Sequence, residues 1–239
     1  PPAWMEGGNP AYLLGGDRLG RDILTHLLYG LRVSVTVGFL SILLSAAIGV
    51  PLGLVAGYYG GRFDQILMRL ADVQLSLPPI LIAMGVMAAW GRGLEKLILV
   101  LGVIGWAVYA RTTRASVLAA RQEEYVQAAR ASGASDGMVM VRHILPNVVT
   151  PLIILASVEL PRVVMLEATL SFLGLGVPAE VPSLGSMIND GYQVLFSGHW
   201  WLSAFPGLLL MLLVLGVNLL GDWLRDALDP KLGRTGKAS

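Results

Sequence analysis

The sequence contains no cysteine, and only 14% of its 239 residues are charged. The lack of cysteine excludes disulfides and thiolate metal sites. The net charge of +1, without a long basic run, argues against a nucleic-acid partner. A soluble domain of this length needs more charged surface, whereas this chain is 55% hydrophobic and its mean hydropathy is +0.68. The composition therefore predicts a membrane protein.

Motifs of several catalytic sites are also missing. No Gly-x-x-x-x-Gly-Lys-Ser/Thr loop is present, so the chain does not itself hold the phosphates of ATP. No Gly-x-Ser-x-Gly nucleophile elbow occurs. The histidines at positions 26, 143 and 199 are far apart in sequence, which disfavours a metal cluster. We therefore expect a non-catalytic membrane subunit with no metal and no cofactor.

Long charge-free runs indicate where the chain crosses a bilayer. A span needs about 20 residues of helix, and residues 33–61, 73–91 and 191–221 carry no Asp, Glu, Lys or Arg. Their apolar residues are continuous, which favours helices over barrel strands. Because Lys96 and Arg111 flank a short uncharged run, the third span is the least apolar. The predicted spans are 33–58, 66–90, 94–119, 147–173 and 201–223.

The distribution of Lys and Arg predicts the orientation of these spans. Most basic residues fall on one side of the membrane if residues 111–142 are cytoplasmic, whereas residues 176–200 contain neither Lys nor Arg. Five spans then place the N-terminal stretch outside the cytoplasm. We expect one further helix before Pro1, which would return the N-terminus to the cytoplasm.

Glycine and proline predict local features of the first two spans. Gly49, Gly53 and Gly57 recur every four residues and form a smooth stripe, which we assign to helix packing. The alternative is the general glycine enrichment of membrane helices. Pro51 is expected to kink or loosen the first span, and the proline pair at 78–79 the second.

Charged residues inside the predicted spans are candidates for a polar pathway, because each costs about 2.5–3.5 kcal/mol at the bilayer centre. Glu159 and Arg162 are three residues apart and can pair on one helical face, and Glu167 follows one to two turns later. A neutralised structural pair is the alternative to a water-filled lumen. Asp72 is expected to pair with Arg69, also three residues away.

A short surface helix is predicted on the cytoplasmic side. Glu124 suits its first turn, and Gly133 can end it in a left-handed conformation. Its small or apolar face follows the i, i+3, i+4, i+7 rule. That face is formed by Tyr125, Ala128, Ala129 and Ser132. Such a face fits a groove on another protein or lies on lipid headgroups. Because alanine adds little membrane affinity, we favour the protein groove.

The surface helix is expected to connect directly to the fourth span. Ser135 or Asp136 can cap a second short helix, and Pro146 suits the first turn of the span. Gln127 and Arg130 are expected to face away from the apolar face.

The same segment, residues 121–146, resembles the EAA loop of ABC-importer permeases. The residues that carry the resemblance are Gln127, Ala128, Ala129, Gly133, Leu145 and Pro146. Gln127 stands where the family usually has Glu, but the spacing of the other residues is kept. Residues 1–4, 14–32, 170–176 and 226–231 are similar to the dipeptide, oligopeptide and nickel permeases, and most of all to the second permease of dipeptide systems.

The resemblance implies an all-α membrane protein, the transmembrane domain of a type I ABC importer, in a bacterial inner membrane. It implies a homologous second permease, two cytoplasmic ATP-binding subunits, an extracytoplasmic binding protein, surrounding lipid and a peptide substrate. We expect an extracytoplasmic N-terminal segment at 1–32, the permease domain at 33–224 and a cytoplasmic tail at 225–239. The ATPase-coupling residues would be Glu124, Tyr125, Gln127, Ala128, Ala129, Gly133, Leu145 and Pro146.

Other functions remain open at this point. The same architecture serves for nickel or another small solute, and the sequence does not determine the substrate. A stand-alone secondary transporter would work without an ATPase. A membrane enzyme would need a reactive group of residues near one interface, and none is recognisable.

Overall fold

The computed structural model describes residues 1–228, and these are predominantly α-helical. The helices are α1 (Ile23–Tyr59), α2 (Gly61–Ser76), α3 (Pro79–Trp90), α4 (Leu94–Ala120), α5 (Glu124–Ala131), α6 (Asp136–Met138), α7 (Leu145–Phe172), α8 (Leu184–Tyr192) and α9 (Trp201–Leu228). A π-helical turn, Val139–Ile144, joins α6 to α7, and a 3-10 turn, Leu195–Ser197, precedes α9. Most of the predicted tail at 225–239 lies outside the described residues.

Helix α1 begins well before the predicted span because Asp22 caps it. The Asp22 carboxylate accepts hydrogen bonds from the Thr25 backbone N–H at 2.9 Å and from the Thr25 hydroxyl at 2.6 Å. Just upstream, the Asp17 carboxylate accepts from the Arg21 side chain at 2.6 Å. Partial burial raises the pKa of Asp17, but hydrogen bonds from Arg21 outweigh it and hold the pKa below its ordinary value. This chain segment is therefore fixed by local polar contacts.

The predicted second span is not one straight helix. α2 ends at Ser76, α3 begins at Pro79, and the two helices are bent by 86°. Leu77 between them is extended (φ −94°, ψ 137°), as expected for a residue that precedes proline. Pro51, in contrast, lies inside α1, which continues past it to Tyr59. Two consecutive prolines thus end a helix here, whereas a single proline does not.

Among the described residues, three helical segments are long and apolar enough to cross a membrane. They are α1, the continuous segment Asp136–Phe172 and α9; the bent pair α2–α3 counts as a fourth if it forms one span. The predicted count of five is therefore not confirmed. The third predicted span does form an unbroken helix, α4, but it is not one of these segments.

Large apolar side chains are exposed along the candidate spans. On α9 they include Leu208, Met211, Leu212, Leu215, Leu219 and Leu220. A single soluble chain rarely exposes so continuous an apolar surface. In a bilayer this surface contacts lipid or a neighbouring helix without penalty. The exposed surface therefore agrees with the membrane character predicted from composition.

The described chain divides into two compact units. The first comprises Pro1–Leu40, Ile80–Val100 and Leu160–Val217, and the second comprises Ser41–Pro79, Leu101–Glu159 and the described part of Asn218–Ser239. The core of the first unit is formed by Ile23, Leu27, Val164, Ala168, Leu184, Trp201, Leu202 and Leu210. In this unit α8 lies directly on α7, since a Cβ on Gly185 would come within 2.1 Å of the Ala168 carbonyl oxygen.

The second unit brings α1 against α4 at the predicted glycine stripe. A Cβ on Gly49 would lie 2.4 Å from the Trp106 carbonyl oxygen, and one on Gly53 would lie 2.3 Å from the Ala110 carbonyl oxygen. A Cβ on Gly57 would lie 2.8 Å from the Cβ of Val117. These distances leave no room for a side chain, so the backbones of the two helices approach more closely than any other residue permits.

We predict that Gly53→Ala destabilises the protein. The added methyl group has no space beside α4, and overpacking of this kind costs roughly 1–3 kcal/mol. Gly216→Ala is the matched control, because a Cβ at Gly216 in α9 meets no atom within 4 Å in the described chain. The midpoint of thermal unfolding of the purified chain in detergent should fall for the first variant only. Equal midpoints for the two variants would contradict close packing at Gly53.

Candidate functional site

Helix α5 forms as the sequence predicts, and its ends explain why it is short. Glu123 precedes it in an extended conformation, and Glu124 lies in its first turn, where a negative charge favours the helix dipole. Gly133 adopts φ +81°, the left-handed conformation that ends a helix. Ser135 caps α6 through a hydrogen bond that its side chain accepts from the Met138 backbone N–H. The predicted positions of Glu124, Gly133 and Ser135 are confirmed.

The two alanines of the EAA-like loop have different environments in α5. Ala128 is exposed, whereas Ala129 is partly buried. Val126 is the fully buried residue of the helix. Tyr125, on the exposed side, has 43% of its surface accessible. The outward face therefore centres on Ala128, and the paired alanines do not form one common surface.

Tyr58, near the end of α1, contacts both α5 and α6. Its hydroxyl donates a hydrogen bond of 2.6 Å to the Asp136 carboxylate. The guanidinium carbon of Arg130 lies 4.7 Å from the centre of the Tyr58 ring, a cation–π contact. The sequence predicts that Arg130 faces away from the apolar face of α5. In the structure Arg130 is exposed, and its guanidinium packs on the Tyr58 ring of α1. The guanidinium of Arg121 also donates to the Tyr58 carbonyl oxygen at 3.3 Å.

A second contact joins α5 to the first turn of α7. The Asn147 side-chain amide donates to the Tyr125 hydroxyl at 3.0 Å and to the His143 carbonyl oxygen at 2.9 Å. Leu145 begins α7 and Pro146 follows in its first turn, as predicted. The turn Val139–Ile144 is π-helical, so the chain runs from α6 into α7 without a loop. The helix α5 is therefore attached to α1 and α7 by side chains and to α7 by the backbone.

The three charged candidates for the pathway have different surroundings. Arg162 is exposed and Glu159 is partly exposed, both on α7. Glu167 is fully buried, and its carboxylate accepts hydrogen bonds from Ser34 at 2.6 Å and from Ser171 at 2.7 Å. Within this chain Glu167 therefore joins α1 to α7 rather than facing open space. A role for any of them in transport stays a prediction.

Two ion pairs join α2 to α4. Asp72 pairs with Arg111, so the expected pairing with Arg69 is wrong. Asp64 accepts both branches of the Arg114 guanidinium, with one nitrogen–oxygen distance of 2.6 Å. Spacing along one helix favours Arg69 as the partner of Asp72, but in the folded chain the Asp72 carboxylate lies beside Arg111 of α4.

The first unit contains a cavity of about 560 Å³. Its charged and polar wall includes Arg18, Arg21, Arg92, Asn189 and Asp190. Partial burial raises the pKa of Asp190, while the positive charges of Arg21 and Arg18 act in the opposite direction without cancelling that effect. The apolar residues that line the cavity include Ile23, Val177 and Leu202.

Sequence reasoning missed the residues that hold these sites together. Tyr58 was the last residue of a predicted span, and Asn147 was the first residue of another. Arg92 lies in the short segment between the predicted spans 66–90 and 94–119, where its sequence context gives no sign of a site. A polar residue at the end of an apolar span is a weak signal by itself, because it also suits the membrane interface.

Comparison with known proteins agrees with this geometry. The family described as "Binding-protein-dependent transport system inner membrane component" matches residues 49–234. The dipeptide transport system permease protein DppC of Haemophilus influenzae is 44% identical over 97% of this chain and 78% of its own length. The di/tripeptide transport system permease protein DppC of Pseudomonas aeruginosa is 40% identical over 97% of this chain and 76% of its own length. The glutathione transport system permease protein GsiD of Pectobacterium atrosepticum is 41% identical over 95% of this chain and 75% of its own length.

A solved structure shows the same fold. One chain of the inward-facing MetNI methionine ABC transporter aligns with a TM-score of 0.68 over 87% of this chain and 98% of its own length, at 22% identity. At that identity the likeness establishes the fold alone. The helices of this chain thus have the same fold as that transporter chain.

The chain belongs to the family of binding-protein-dependent transport system inner membrane components, the permeases of ABC importers. It is a bacterial inner-membrane transport component rather than a catalytic subunit. The resemblance to this family that the EAA-like loop carried is therefore confirmed.

We predict that Tyr58→Phe loosens α5. The substitution removes the hydrogen bond to Asp136, which is worth about 1 kcal/mol, but keeps the ring below Arg130. Amide hydrogen exchange in residues 124–138 should become about fivefold faster, as a loss of that size implies. Tyr59→Phe, at the exposed neighbouring tyrosine, is the control and should leave the exchange unchanged. Equal exchange in the two variants would show that the Tyr58 hydroxyl does not hold this segment.

Proposed function

We propose that the chain is one of two permease subunits that form the translocation pathway for di- and oligopeptides. Transport is driven by ATP-binding subunits that dock on α5. The observation that carries this proposal is the attachment of α5. The small side chain of Ala128 is exposed on it, while Tyr125 and Arg130 attach the helix to Asn147 of α7 and to Tyr58 of α1. A partner that moves α5 must therefore move the membrane helices to which it is attached.

The outer face of α5 suits a protein groove. Ala128 is exposed at its centre, with Glu124, Gln127 and Tyr125 also exposed around it. A small side chain at the centre lets the helix backbone approach its partner closely, and the flanking polar groups provide hydrogen bonds at the rim. Gly133, Leu145 and Pro146 contribute indirectly, because they fix where α5 ends and where α7 begins. Ala129 lies partly beneath this surface and packs rather than docks.

The peptide substrate is supported by the relatives. Those named for dipeptides, di/tripeptides and glutathione are 40–44% identical to this chain over 95–97% of its length. All of these substrates are short peptides with free carboxylates. The structure adds no observation that favours nickel or another small solute over a peptide.

The mechanism is alternating access with the energy supplied by the partners. Binding of ATP closes the two ATPases, and the closed form binds α5 in a different position from the open form. The difference in binding free energy between the two positions shifts the permease between its inward-facing and outward-facing states. Because residues 136–172 form one continuous helical segment, displacement at the α5 end tilts α7.

The arrangement in the membrane follows the sequence prediction. In this proposal the residues from 33 to 224 cross the bilayer five times, with α2–α3 as one bent crossing and α4 as the least apolar one. Residues 121–146 face the cytoplasm, whereas 1–32 and 176–200 face the binding protein. The binding protein, the second permease and the two ATPases complete the importer.

We predict that Ala128→Arg uncouples ATP hydrolysis from transport. The large charged side chain blocks the close approach of a partner without entering the protein interior, because Ala128 is exposed. Loss of one well-packed contact of about 1.4 kcal/mol lowers peptide uptake roughly tenfold. Uptake of a labelled dipeptide by the assembled importer in proteoliposomes measures the effect.

The control for this experiment is Ala119→Arg. Ala119 is an exposed alanine near the end of α4 and lies outside α5, so the same substitution should leave uptake close to that of the unmodified importer. Co-purification of the ATPases is measured in parallel. Normal uptake and normal ATPase retention by the Ala128→Arg importer would rule out docking on this face.

A further inference from the structure

The cavity in the first unit has a positively charged wall that the fold does not neutralise. Arg92 lies in the short segment between α3 and α4 and is exposed. Within the described residues its guanidinium has no hydrogen-bond or ion-pair partner, although one terminal nitrogen would lie 3.1 Å from a Cβ on Gly174. The Arg92 guanidinium is therefore held beside the backbone of the loop after α7 with its donors unused.

The backbone around Arg92 is fixed, so the guanidinium is presented from a defined position. Gly93 donates a backbone hydrogen bond of 3.4 Å to the Gly176 carbonyl oxygen, which joins the α3–α4 loop to the loop after α7. Gly91 and Gly174 both adopt positive φ (82° and 75°), which only glycine takes readily. Ligand-binding arginines gain affinity when their attachment is fixed before binding.

Another part of the wall carries a carboxylate. Asp190, on α8, lies within the electrostatic influence of Arg21 and Arg18. Arg21 is already paired with Asp17 at 2.6 Å. The charged lining thus includes two guanidinium groups that have no hydrogen-bond or ion-pair partner among the described residues, those of Arg92 and Arg18. It also includes two carboxylates, of which Asp17 is paired with Arg21 and Asp190 has no ion-pair partner.

We propose that this cavity binds a short peptide, with Arg92 holding the peptide's free carboxylate and Asp190 its ammonium group. The inference rests on the proposed function and adds a site on this subunit for the substrate. A guanidinium binds a carboxylate through two parallel hydrogen bonds, which suits an arginine whose donors are unused. A volume of about 560 Å³ lies within the range of small-ligand sites. A lining that carries both an arginine and an aspartate without an ion-pair partner matches a zwitterion, whereas a single acidic side chain of a docked protein would use only the arginine.

The proposal is tested in the assembled importer, with the second permease, the ATPases and the binding protein in proteoliposomes. The uptake rate of dialanine is measured against the concentration of dialanine-loaded binding protein. Arg92→Gln should lower the maximal rate roughly tenfold, as expected for loss of a charge-assisted pair of hydrogen bonds. The loaded binding-protein concentration that gives half the maximal rate should not change. Arg92→Lys keeps the charge and should lose less activity.

Arg62→Gln is the matched control. Arg62 is an exposed arginine on α2 that neither lines the cavity nor lies in the segments assigned to the binding protein or to the ATPases. Its substitution removes the same charge and should leave the maximal rate unchanged. Direct binding of the loaded binding protein to the Arg92→Gln importer is measured as well, and normal binding shows that the variant is folded and docks its partner.

Two results would overturn the inference. If Arg92→Gln raises the half-saturating concentration of the binding protein, with or without a change in maximal rate, the guanidinium binds that protein and not the peptide. If neither quantity changes, the cavity takes no part in peptide transfer. If the unmodified importer takes up no dialanine at all, the proposed function fails, and this result is distinct from failure of the cavity alone.

Discussion

The contact between α1 and α4 is the constraint on which the α5–α6 part of the second unit depends. Gly49, Gly53 and Gly57 let the two backbones meet with no side chain between them. In a bilayer there is little hydrophobic gain from pressing two apolar helices together, so close packing of this kind provides much of the stabilisation. The end of α1 is thereby fixed at Tyr58, and Tyr58 in turn positions Asp136 and Arg130.

The short helix α5 depends on side-chain contacts with the longer helices α1 and α7. Eight residues bury one side chain, Val126, and would be only marginally stable as a helix in isolation. The hydrogen bonds of Tyr58 and Asn147 add the stability that an eight-residue helix lacks in isolation. In the proposed mechanism a force on the exposed face therefore reaches α1 through Tyr58 and α7 through Asn147. The π-helical turn before α7 keeps the backbone connection continuous.

Acidic side chains have different kinds of partner in the two units. In the first unit Glu167 accepts hydrogen bonds from Ser34 and Ser171 and is shielded from solvent. In the second unit Asp64 and Asp72 pair with arginines of α4. Each of these acidic groups has at least one partner that is distant in sequence, and such pairing is how membrane helices tolerate charges. The cavity beside Arg92 differs, because its guanidinium is left without a partner in the described chain.

The sequence by itself determined the helical class, the membrane environment, the α5 boundaries and the capping roles of Ser135 and Gly133. These follow from composition, residue spacing and local hydrogen bonding, which act within a few residues. Only the tertiary structure decided that Asp72 pairs with Arg111, that Glu167 is buried, that Ala128 and Ala129 face differently, and that α2 and α3 meet at 86°. Pairing and burial depend on which helices become neighbours, and residue spacing along one helix carries no information about that choice.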